Sequence, residues 1–526
     1  MYQQRRFLSV GITFKLTANC YPDHTAIIYW NIDKDKMEQA TYKTLNNRVN
    51  RLANALQNLG VGKEDKVAIF FHNEPRFIES YLASLKIGAV AVPINVRLSA
   101  REITYEVDFA DCKALIYSED LAGVVEEIRP NLPKVKTWIC RGEKIPENTF
   151  SYEELLTRSS EEEPNVQVHL DDDCVIYFTA GTTGLPKGAV RTHEAELWHC
   201  ITNALRFGFN PEAVVGGIPP FFHIAGLGSF AMAGLTAGST LVFLNRFDPR
   251  RVMEAIEKFR ITHIFLVPAM TIAIQNLPDV DKYDASSLKV YMSASAPLLT
   301  EQKKWILKRF PNIKLWEGYG ITEGGDVAYI PPEYIVRKDM CVGKPDFSKE
   351  VKIVNEEGKE VVPGEFGEVL VRGPGVFSGY YKDPEKTRES FTPDGFFRTG
   401  DVGKYDEEGF IYLVDRIKDM VITGGENVYA AEVENILATH PAVRECAMFG
   451  VPDPKWGEAV VAAVVLKQGQ KATEEELIEY CRQNLAHYKC PKNIVFMDAL
   501  PRNPFGKVLK RELRERFKDL RTKTSS

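Results

Sequence analysis

The chain has 526 residues and a net charge of −6, and it combines 44% hydrophobic with 26% charged residues. This length exceeds what one hydrophobic core supports, so two or more domains are expected, and the ordinary composition predicts a soluble globular protein. The net negative charge argues against a general nucleic-acid binder.

The cysteine pattern and the two apolar segments of the chain predict a cytoplasmic protein. Nine cysteines are dispersed without a Cys-x-x-Cys pair, which is typical of reduced thiols. The apolar N-terminal segment is too short for an export signal and is interrupted by Lys15. Residues 213–247 have one charged residue, Arg246, but glycines and prolines break the segment repeatedly. We therefore expect a buried strand–helix–strand segment there and no membrane span.

Strands and helices alternate in the first third of the chain. Apolar runs predict strands at 26–30, 67–71, 89–93 and 114–117, and periodic apolar residues predict helices at 42–59 and 77–87. This alternation predicts an α/β fold with parallel-rich sheets. The acidic runs at 161–163 and 171–173 are interpreted as solvated turns.

The composition of the segments changes twice further along the chain. After residue 330, short strands between Gly, Pro and Asp turns predict a small β-rich subdomain. After residue 415, two helices and two strands predict a compact α+β unit, with a basic helical tail from 510 to 523. We predict a large N-terminal domain over 1–415, with its β-rich part at about 331–415, and a C-terminal domain over 416–526.

A glycine-rich loop follows the predicted buried strand at 174–178. Between residues 179 and 188 it contains three glycines, three threonines and a lysine. Glycines allow close approach of the backbone to a ligand, and N–H groups, hydroxyls and a lysine together suit phosphates. Pro186 precedes Lys187, whereas the Walker pattern requires glycine there. The loop therefore predicts a phosphate site of another kind.

A second motif, Trp-Glu-Gly-Tyr-Gly-Ile-Thr-Glu at 316–323, follows a strand predicted at 313–316. Glycines flank Tyr319, so its ring is expected to be accessible for stacking on a base. Glu323 offers an oxygen ligand to Mg²⁺, a hard cation that accompanies phosphates. The alternative is a turn with a surface acid.

The last third of the chain carries three further candidate groups. The carboxylate of Asp401 can accept hydrogen bonds from two hydroxyls, and Arg416 suits phosphate or ribose oxygens. The paired glycines at 424–425, between a predicted strand and helix, permit close approach of a narrow chain. Lys507 follows a Pro/Gly loop, so it is expected to be exposed and mobile.

Taken in order, the motifs from 177 to 507 resemble the signatures of the adenylate-forming (ANL) superfamily, in its acyl-CoA synthetase branch. The glycine-rich loop is similar to Thr-Ser-Gly-Thr-Thr-Gly-x-Pro-Lys-Gly, with Ala180 at the serine position. Residues 293–297 resemble the adenine wall Ser-Gly-Gly-Ala-Pro, with both glycines replaced. Residues 319–323 match Tyr-Gly-x-Thr-Glu, and 415–418 match Asp-Arg-x-Lys.

The resemblance implies an ATP-dependent acid–CoA ligase that uses Mg²⁺. The acid and ATP would give acyl-AMP and pyrophosphate, and CoA would then take the acyl group while the C-terminal domain rotates. Members that activate α-amino acids place an Asp in the region of 213–247, and this chain has none, so an apolar acid is expected. Two alternatives stay open: transfer to a carrier protein or another acceptor, and a non-catalytic nucleotide-binding relative. The presence of Glu323 and Lys507 speaks against the second.

The resemblance also implies roles for individual residues. The catalytic set is Lys507, His223, Thr182 and Lys187. The metal ligand is Glu323, and the hinge between the domains is Lys418. The nucleotide and CoA contacts are Thr179, Gly181, Thr183, Gly184, Ser295, Ala296, Glu317, Gly318, Tyr319, Gly320, Thr322, Asp401, Arg416, Gly424 and Gly425. We expect a monomer or homodimer whose partners are a carboxylic acid, ATP and CoA, with no nucleic acid.

Overall fold

The structure, a computed structural model, describes residues 8–179, 186–338, 341–416, 420–423, 426–428, 430–453, 456–485, 487–502 and 508–520. The chain divides into two compact units. The first comprises Met1–Val351 with Val371–Phe397, and the second comprises Lys352–Leu370 with Arg398–Ser526. The domain boundary at 415/416 stays a prediction.

The first unit contains a nine-stranded sheet in the order β16-β15-β14-β13-β12-β10-β11-β1-β2. Its strands are β1 (Thr25–Asn31), β2 (Lys36–Thr41), β10 (Val214–Gly216), β11 (Thr240–Leu244), β12 (His263–Phe265), β13 (Val290–Ala294), β14 (Lys314–Ile321), β15 (Gly325–Ile330) and β16 (Lys344–Pro345). Neighbours from β1 to β14 pair in parallel, and β2, β15 and β16 add antiparallel edges.

The same unit contains an eight-stranded sheet in the order β19-β9-β8-β4-β3-β5-β6-β7. Its strands are β3 (Lys66–Phe70), β4 (Val90–Pro93), β5 (Cys112–Ser118), β6 (Thr137–Arg141), β7 (Phe150–Ser151), β8 (Asp173–Thr179), β9 (Lys187–Thr192) and β19 (Gly379–Tyr380). The strands from β7 to β8 pair in parallel, while β9 and β19 are antiparallel. The predicted parallel-rich α/β architecture is thus confirmed.

Helices connect and cover these strands. They are α1 (Val10–Cys20), α2 (Tyr42–Asn58), α3 (Pro75–Lys86), α4 (Ala100–Phe109), α5 (Ala122–Ile128), α6 (Tyr152–Arg158), α7 (His193–Phe207), α8 (Ala233–Thr236), α9 (Pro249–Phe259), α10 (Pro268–Gln275), α11 (Thr300–Arg309) and α12 (Pro384–Glu389). A π-helix, Ala225–Met232, precedes α8. Local sequence sets several starts: Ser99 and Glu102 form a capping box on α4, and the side chain of Thr192 caps α7.

The second unit contains most of a four-stranded sheet, together with a five-stranded sheet and three α-helices among its described residues. The four-stranded sheet, in the order β17-β18-β20-β21, contains β17 (Glu350–Val354), β18 (Gly367–Arg372), β20 (Phe397–Tyr405) and β21 (Ile411–Arg416). The five-stranded sheet contains β22 (Val421–Thr423), β23 (Glu426–Val428), β24 (Val443–Asp453), β25 (Gly457–Leu466) and β26 (Asn493–Phe496). The helices are α13 (Ala430–Thr439), α14 (Glu474–Asn484) and α15 (Lys510–Arg516). The tail helix therefore ends seven positions before the predicted residue 523.

The central strand β3 shows why its sequence is continuously apolar. Val67 and Ile69 belong to the cluster that also contains residues of α2 and α3. Ala68 and Phe70 point to the opposite face and join a second cluster with residues of α4 and α5. Both faces of the sheet are therefore covered, as the apolar run predicted.

Two sequence interpretations have clear outcomes. The segment 213–247 forms β10, the π-helix, α8 and β11, and no helix in the described part of the chain is long and apolar enough to cross a membrane. The acidic runs, in contrast, are not merely solvated. The Glu163 carboxylate lies 2.6 Å from the buried ammonium of Lys86, and Asp172 pairs with Lys63 at 2.7 Å. Glu163 is needed because the buried ammonium of Lys86 requires a partner.

Candidate active site

Two hairpins from different sheets meet at the predicted phosphate site. In one, β8 and β9 pair so that Thr179 lies opposite Lys187. In the other, Ile321 of β14 pairs with Gly325 of β15, which places Glu323 in the connecting turn. The hydroxyl of Thr179 donates to Oε1 of Glu323 at 3.3 Å. The first threonine of the phosphate loop and the predicted metal ligand are therefore neighbours. Four predicted contacts lie outside the described residues: Gly181, Thr182, Thr183 and Gly184.

Tyr380 joins this pair from a third strand. Its strand, β19, pairs with β9, and its hydroxyl donates to Oε1 of Glu323 at 3.0 Å. The Nζ of Lys187 lies 5.1 Å from the centre of the Tyr380 ring. The N–H of Phe377 also donates to the backbone carbonyl of Glu323, at 2.7 Å. Sequence reasoning missed Tyr380, because Gly-Tyr-Tyr before a helix start matches no chemical motif.

The charges of this cluster suit a metal–phosphate group. Within the described residues, the Glu323 carboxylate has no Lys, Arg or His within ion-pair distance, and Lys187 has no Asp or Glu. Burial, and then the charge of Lys386, lower the pKa of Lys187 below its ordinary value. No group of three or more His, Cys, Asp or Glu in the described residues forms a metal cage. One carboxylate beside a phosphate loop fits Mg²⁺, which takes most ligands from phosphates and water.

The strand before Glu323 is longer than its sequence suggested. The prediction that the strand ends at residue 316 is wrong, because β14 continues to Ile321 through the motif itself. A Cβ on Gly318 would lie 2.6 Å from both Met292 and the ring of Tyr329. Tyr319 is half-buried and packs beside a small apolar cluster. The glycine at 318 is therefore required by packing, in addition to any access that it gives to the ring of Tyr319.

Glu317 and the turn after β13 form the next part of the site. Oε1 of the buried Glu317 accepts from the N–H of Leu298 at 2.8 Å, and Oε2 lies 2.7 Å from Nζ of Lys303. Its carboxylate thus fixes the turn that contains Ser295 and Ala296, both exposed. Ser295 has a φ of +74°, in the left-handed region that favours glycine.

A buried arginine holds the Thr322–Glu323 turn from behind. Arg191 is fully buried and donates from Nη1 to the carbonyl of Thr322 at 3.0 Å. Its Nε contacts Glu196 of α7, which is also buried. The turn is therefore anchored on one side by Arg191 and on the other by Thr179 and Tyr380. Sequence reasoning missed Arg191, because nothing local distinguishes it from a surface charge.

His223 lies in a turn that Asn73 secures. The side-chain amide of Asn73 donates to the carbonyl of Pro219 at 3.0 Å and its oxygen accepts from the N–H of Phe221 at 2.9 Å. A Cβ on Gly226 would lie 2.3 Å from the Pro220 carbonyl oxygen, so glycine is required where the π-helix begins. Burial, and then the charge of Arg97, lower the pKa of His223 to about 4. His223 is therefore neutral at physiological pH.

The remaining predicted residues belong to the second unit. Asp401 is buried in β20 and lies opposite Arg416 of β21, so the two predicted nucleotide residues are cross-strand neighbours. Thr423 pairs with Glu426, which shows that a strand follows the glycine pair before helix α13 begins. The predicted order of a strand, the stretch 423–429 and a helix is confirmed, because α13 begins at Ala430. Four predicted residues lie outside the described residues: Lys418, Gly424, Gly425 and Lys507.

Family comparisons agree with this arrangement. The model of the AMP-binding enzyme family matches residues 14–381. The model of the AMP-binding enzyme C-terminal domain matches residues 432–507. Together these matches span the glycine-rich loop, the Thr322–Glu323 turn and the C-terminal lysine.

Individual relatives cover nearly the whole chain. A feruloyl-CoA synthase from Amycolatopsis sp is 37% identical over 478 residues, which are 91% of this chain and 94% of the relative. The long-chain-fatty-acid–CoA ligase FadD13 of Mycobacterium tuberculosis is 35% identical over 91% of this chain and 93% of its own. The crystal structure of ATP-bound MatB from Rhodopseudomonas palustris superposes with a TM-score of 0.87 at 30% identity, covering 98% of this chain and all of MatB.

Proposed function

The chain belongs to the AMP-binding enzyme family, in the acyl-CoA synthetase branch of the ANL superfamily, and on that premise we propose how its residues divide the reaction. It is an ATP-dependent, AMP-forming acid–CoA ligase. The acid carboxylate attacks the α-phosphorus of ATP, giving acyl-AMP and pyrophosphate. The thiol of CoA then attacks the acyl carbon, and AMP and a proton leave.

The contact between Thr179 and Glu323 is the observation that supports the first half-reaction most directly. It brings a phosphate-loop hydroxyl beside a carboxylate that has no ion-pair partner among the described residues, with Lys187 on the neighbouring strand. In our proposal Thr179, Thr182, Thr183 and Lys187 bind the phosphates. Such groups act mainly by positioning the reactants and neutralising charge.

Glu323 is the proposed ligand of Mg²⁺, and Tyr380 and Thr179 orient its carboxylate. When bound, Mg²⁺ supplies charge neutralisation to the phosphate oxygens. The hydroxyl of Tyr380 occupies one lone pair of Oε1. The other carboxylate oxygen has no hydrogen-bond donor among the described contacts, so it is available to a cation.

We propose that residues from two parts of the chain bind the nucleotide. In the first unit, Ser295, Ala296, Gly318, Tyr319, Gly320 and Thr322 are proposed to line the base, with Glu317 contributing its backbone. In the second unit, Asp401 and Arg416 are proposed to bind the ribose, because the two lie opposite each other on β20 and β21. Gly424 and Gly425 remain the proposed entry of the CoA thiol, and Lys418 the proposed hinge.

The acid is proposed to carry an apolar tail. The π-helix after His223 is formed by Ala225–Met232, and residues 226–232 of it are buried. His223 is neutral near pH 7, so it adds no charge to this wall. A buried ammonium without a partner would be costly, which argues against an α-amino acid. The related feruloyl-CoA synthase and fatty-acid–CoA ligase are named for acids with apolar bodies.

The test is a purified-enzyme screen of aromatic and aliphatic monocarboxylic acids with ATP, Mg²⁺ and CoA. We expect at least one apolar acid to give acyl-CoA, AMP and pyrophosphate in equal amounts. ADP and phosphate as products would refute the proposal. Full turnover with a carrier protein, with AMP release that does not depend on CoA, would instead identify a different acyl acceptor.

A further inference from the structure

Helix α7 buries three polar side chains beside apolar core residues such as Leu197, Cys200 and Phe207. Glu196, His199 and Asn203 are buried at helical spacing, each less than 5% exposed. Trp198, Ile201 and Leu205 point outward and are 38%, 38% and 68% exposed. Buried polar groups cost free energy unless they find hydrogen-bond partners, so their partners indicate what these three side chains do.

The partners of His199 belong to the two elements that form the site. Its Nε2 shares a hydrogen bond of 2.9 Å with the hydroxyl of Ser229, in the π-helix that follows His223. Its Nδ1 lies 3.1 Å from Oδ2 of Asp326, three residues after Glu323 in the β14–β15 hairpin. Because a carboxylate only accepts, Nδ1 donates to Asp326 and the ring orientation is fixed.

At the other end of this chain of contacts, the carboxylate of Asp326 has a second hydrogen-bond donor. Oδ2 also accepts from the side-chain amide of Asn203 at 2.6 Å, and the Asn203 oxygen accepts from the hydroxyl of Tyr329 at 3.1 Å. Burial would raise the pKa of Asp326, but the contacts with His199 and Asn203 outweigh it and hold the pKa well below its ordinary value. Asp326 is therefore an ionised anchor at the base of the hairpin.

Glycine backbone lies close to the His199 ring at both ends, most tightly at Gly228. A Cβ on Gly228 would lie 2.7 Å from the His199 ring, so the π-helix packs directly against it. Gly325 has a φ of +65°, and a Cβ there would lie 3.4 Å from Nδ1 of His199. A π-helix is rare and often marks a functional site.

We propose that His199 is a positioning residue for acid activation: through Ser229 and Asp326 it holds the π-helix beside His223 and the turn that carries Glu323 in one fixed arrangement. This inference rests on the proposed role of Glu323 in binding Mg²⁺. Small displacements of groups that position phosphates have large effects on rate. Loss of His199 therefore lets the turn that carries Glu323 move relative to the π-helix.

The experiment compares His199→Gln with His263→Gln. His263 is a matched control, because it is equally buried, at 5% against 4%, and both its ring nitrogens are hydrogen-bonded, to Phe207 and Thr262. Neither partner belongs to the π-helix or the hairpin. The two half-reactions are measured separately, as pyrophosphate release without CoA and as thioester formation from supplied acyl-AMP, together with the half-saturating Mg²⁺ concentration.

For His199→Gln we expect adenylation slower by about tenfold or more and a higher half-saturating Mg²⁺ concentration, with thioester formation changed less than about twofold. His263→Gln should lose a similar amount of thermal stability and leave the Mg²⁺ dependence unchanged. Equal losses in both half-reactions, or identical behaviour of the two variants, would overturn the proposal.

A double-mutant cycle keeps the proposal testable if His199→Gln does not fold. Ser229→Ala and Asp326→Asn are made singly and together, and the adenylation rate is measured. We expect the double variant to lose less than the product of the single losses, since both act through His199. Strict multiplicativity would refute the link. An unchanged Mg²⁺ dependence in Glu323→Gln would refute the metal assignment instead, which separates the two failures.

Discussion

At the scale of single residues, the carboxylate of Glu323 is contacted by side chains that are distant from it in the sequence. Thr179 and Tyr380 lie 144 and 57 positions away in sequence. The motif alone made Glu323 the candidate metal ligand, and that assignment stays a prediction. The two hydroxyls that orient its carboxylate depend on strand pairing between β8, β9 and β19, which no local pattern records.

Glu323→Gln is expected to raise the half-saturating Mg²⁺ concentration and slow pyrophosphate release, because an amide oxygen carries no charge for the cation. The measurement is a Mg²⁺ titration of the first half-reaction at saturating acid and ATP. Tyr380→Phe serves as a comparison: it removes a hydrogen bond and keeps the charge, so its effect should have the same direction and be smaller. Unchanged Mg²⁺ dependence in Glu323→Gln would contradict the assignment.

Lys507→Ala is expected to slow adenylation by about a thousandfold, equivalent to roughly 4 kcal/mol, and to spare thioester formation from supplied acyl-AMP. The reason is that negative charge builds on the α-phosphate and the carboxylate only in the first half-reaction. Lys510→Ala, three residues further on, is the control and should leave both rates near wild type. If Lys507→Ala damaged both half-reactions equally, the lysine would be structural.

Ser295 occupies a left-handed conformation, with a φ of +74°, at a position where the adenine-wall pattern has glycine. Ser295→Gly relieves about 1–2 kcal/mol of strain and adds about 0.5–1 kcal/mol of unfolded-state entropy. We therefore expect the free energy of unfolding to rise by about 0.5–1 kcal/mol in urea titrations. Ser295→Ala keeps the strain, so an equal rise in that control would show that φ is not the cause.

At the scale of elements, the described site is formed where strands and hairpins end. The β8–β9 hairpin, the β14–β15 hairpin and β19 each contribute a terminal residue to the cluster around Glu323. Helix α7 and Arg191 support the back of this cluster, and the helix directs polar residues inward to do so. The arrangement predicts that the buried pair of Arg191 and Glu196 contributes more to the free energy of unfolding than a surface ion pair does.

Arg191→Met should lower the free energy of unfolding by about 3–5 kcal/mol, because Glu196 is left buried without its partner. It should also slow adenylation, since the Thr322 carbonyl loses its donor. Arg158→Met is the control: Arg158 pairs with Glu154 on the surface, with exposures of 79% and 66%, and about 1 kcal/mol or less is expected. Chemical denaturation of both variants checks the difference. Comparable small losses would mean that the buried pair does not anchor the turn.

At the scale of the whole molecule, the chain comprises two units, and our proposal gives each of them a part in the reaction. The phosphate cluster belongs to the first unit, and Asp401, Arg416 and the glycine pair belong to the second. In our proposal the two half-reactions need different groups from the second unit, Lys507 for the first and the glycine pair for the second. Lys418 is the proposed hinge, because it lies between β21 and β22 within the Asp-Arg-x-Lys motif.

Lys418→Pro is expected to separate the half-reactions. Proline fixes φ near −65° and restricts the preceding residue, so the variant is held near one domain arrangement. If that arrangement is the adenylating one, pyrophosphate is released in a single turnover, but thioester formation from supplied acyl-AMP stalls. Lys418→Ala removes the charge and keeps backbone freedom, and it should retain both steps. A folded proline variant with both rates near wild type would exclude a hinge at this residue.

The sequence alone determined the family-level reaction and most of the secondary structure. Glycine-rich loops, Thr-Glu pairs and buried strands such as 67–71 express their chemistry within a few consecutive residues, so they are legible without coordinates. The tertiary structure decided which side chains act together: Tyr380 on Glu323, Arg191 behind Thr322, and Ser229, His199 and Asp326 in one chain of contacts. Those contacts join residues that are from 30 to 131 positions apart, and their energies depend on burial and on the pairing of strands. Neither quantity is encoded in a short window, which is why the partners of the buried polar residues of helix α7 could be recognised only in the folded chain.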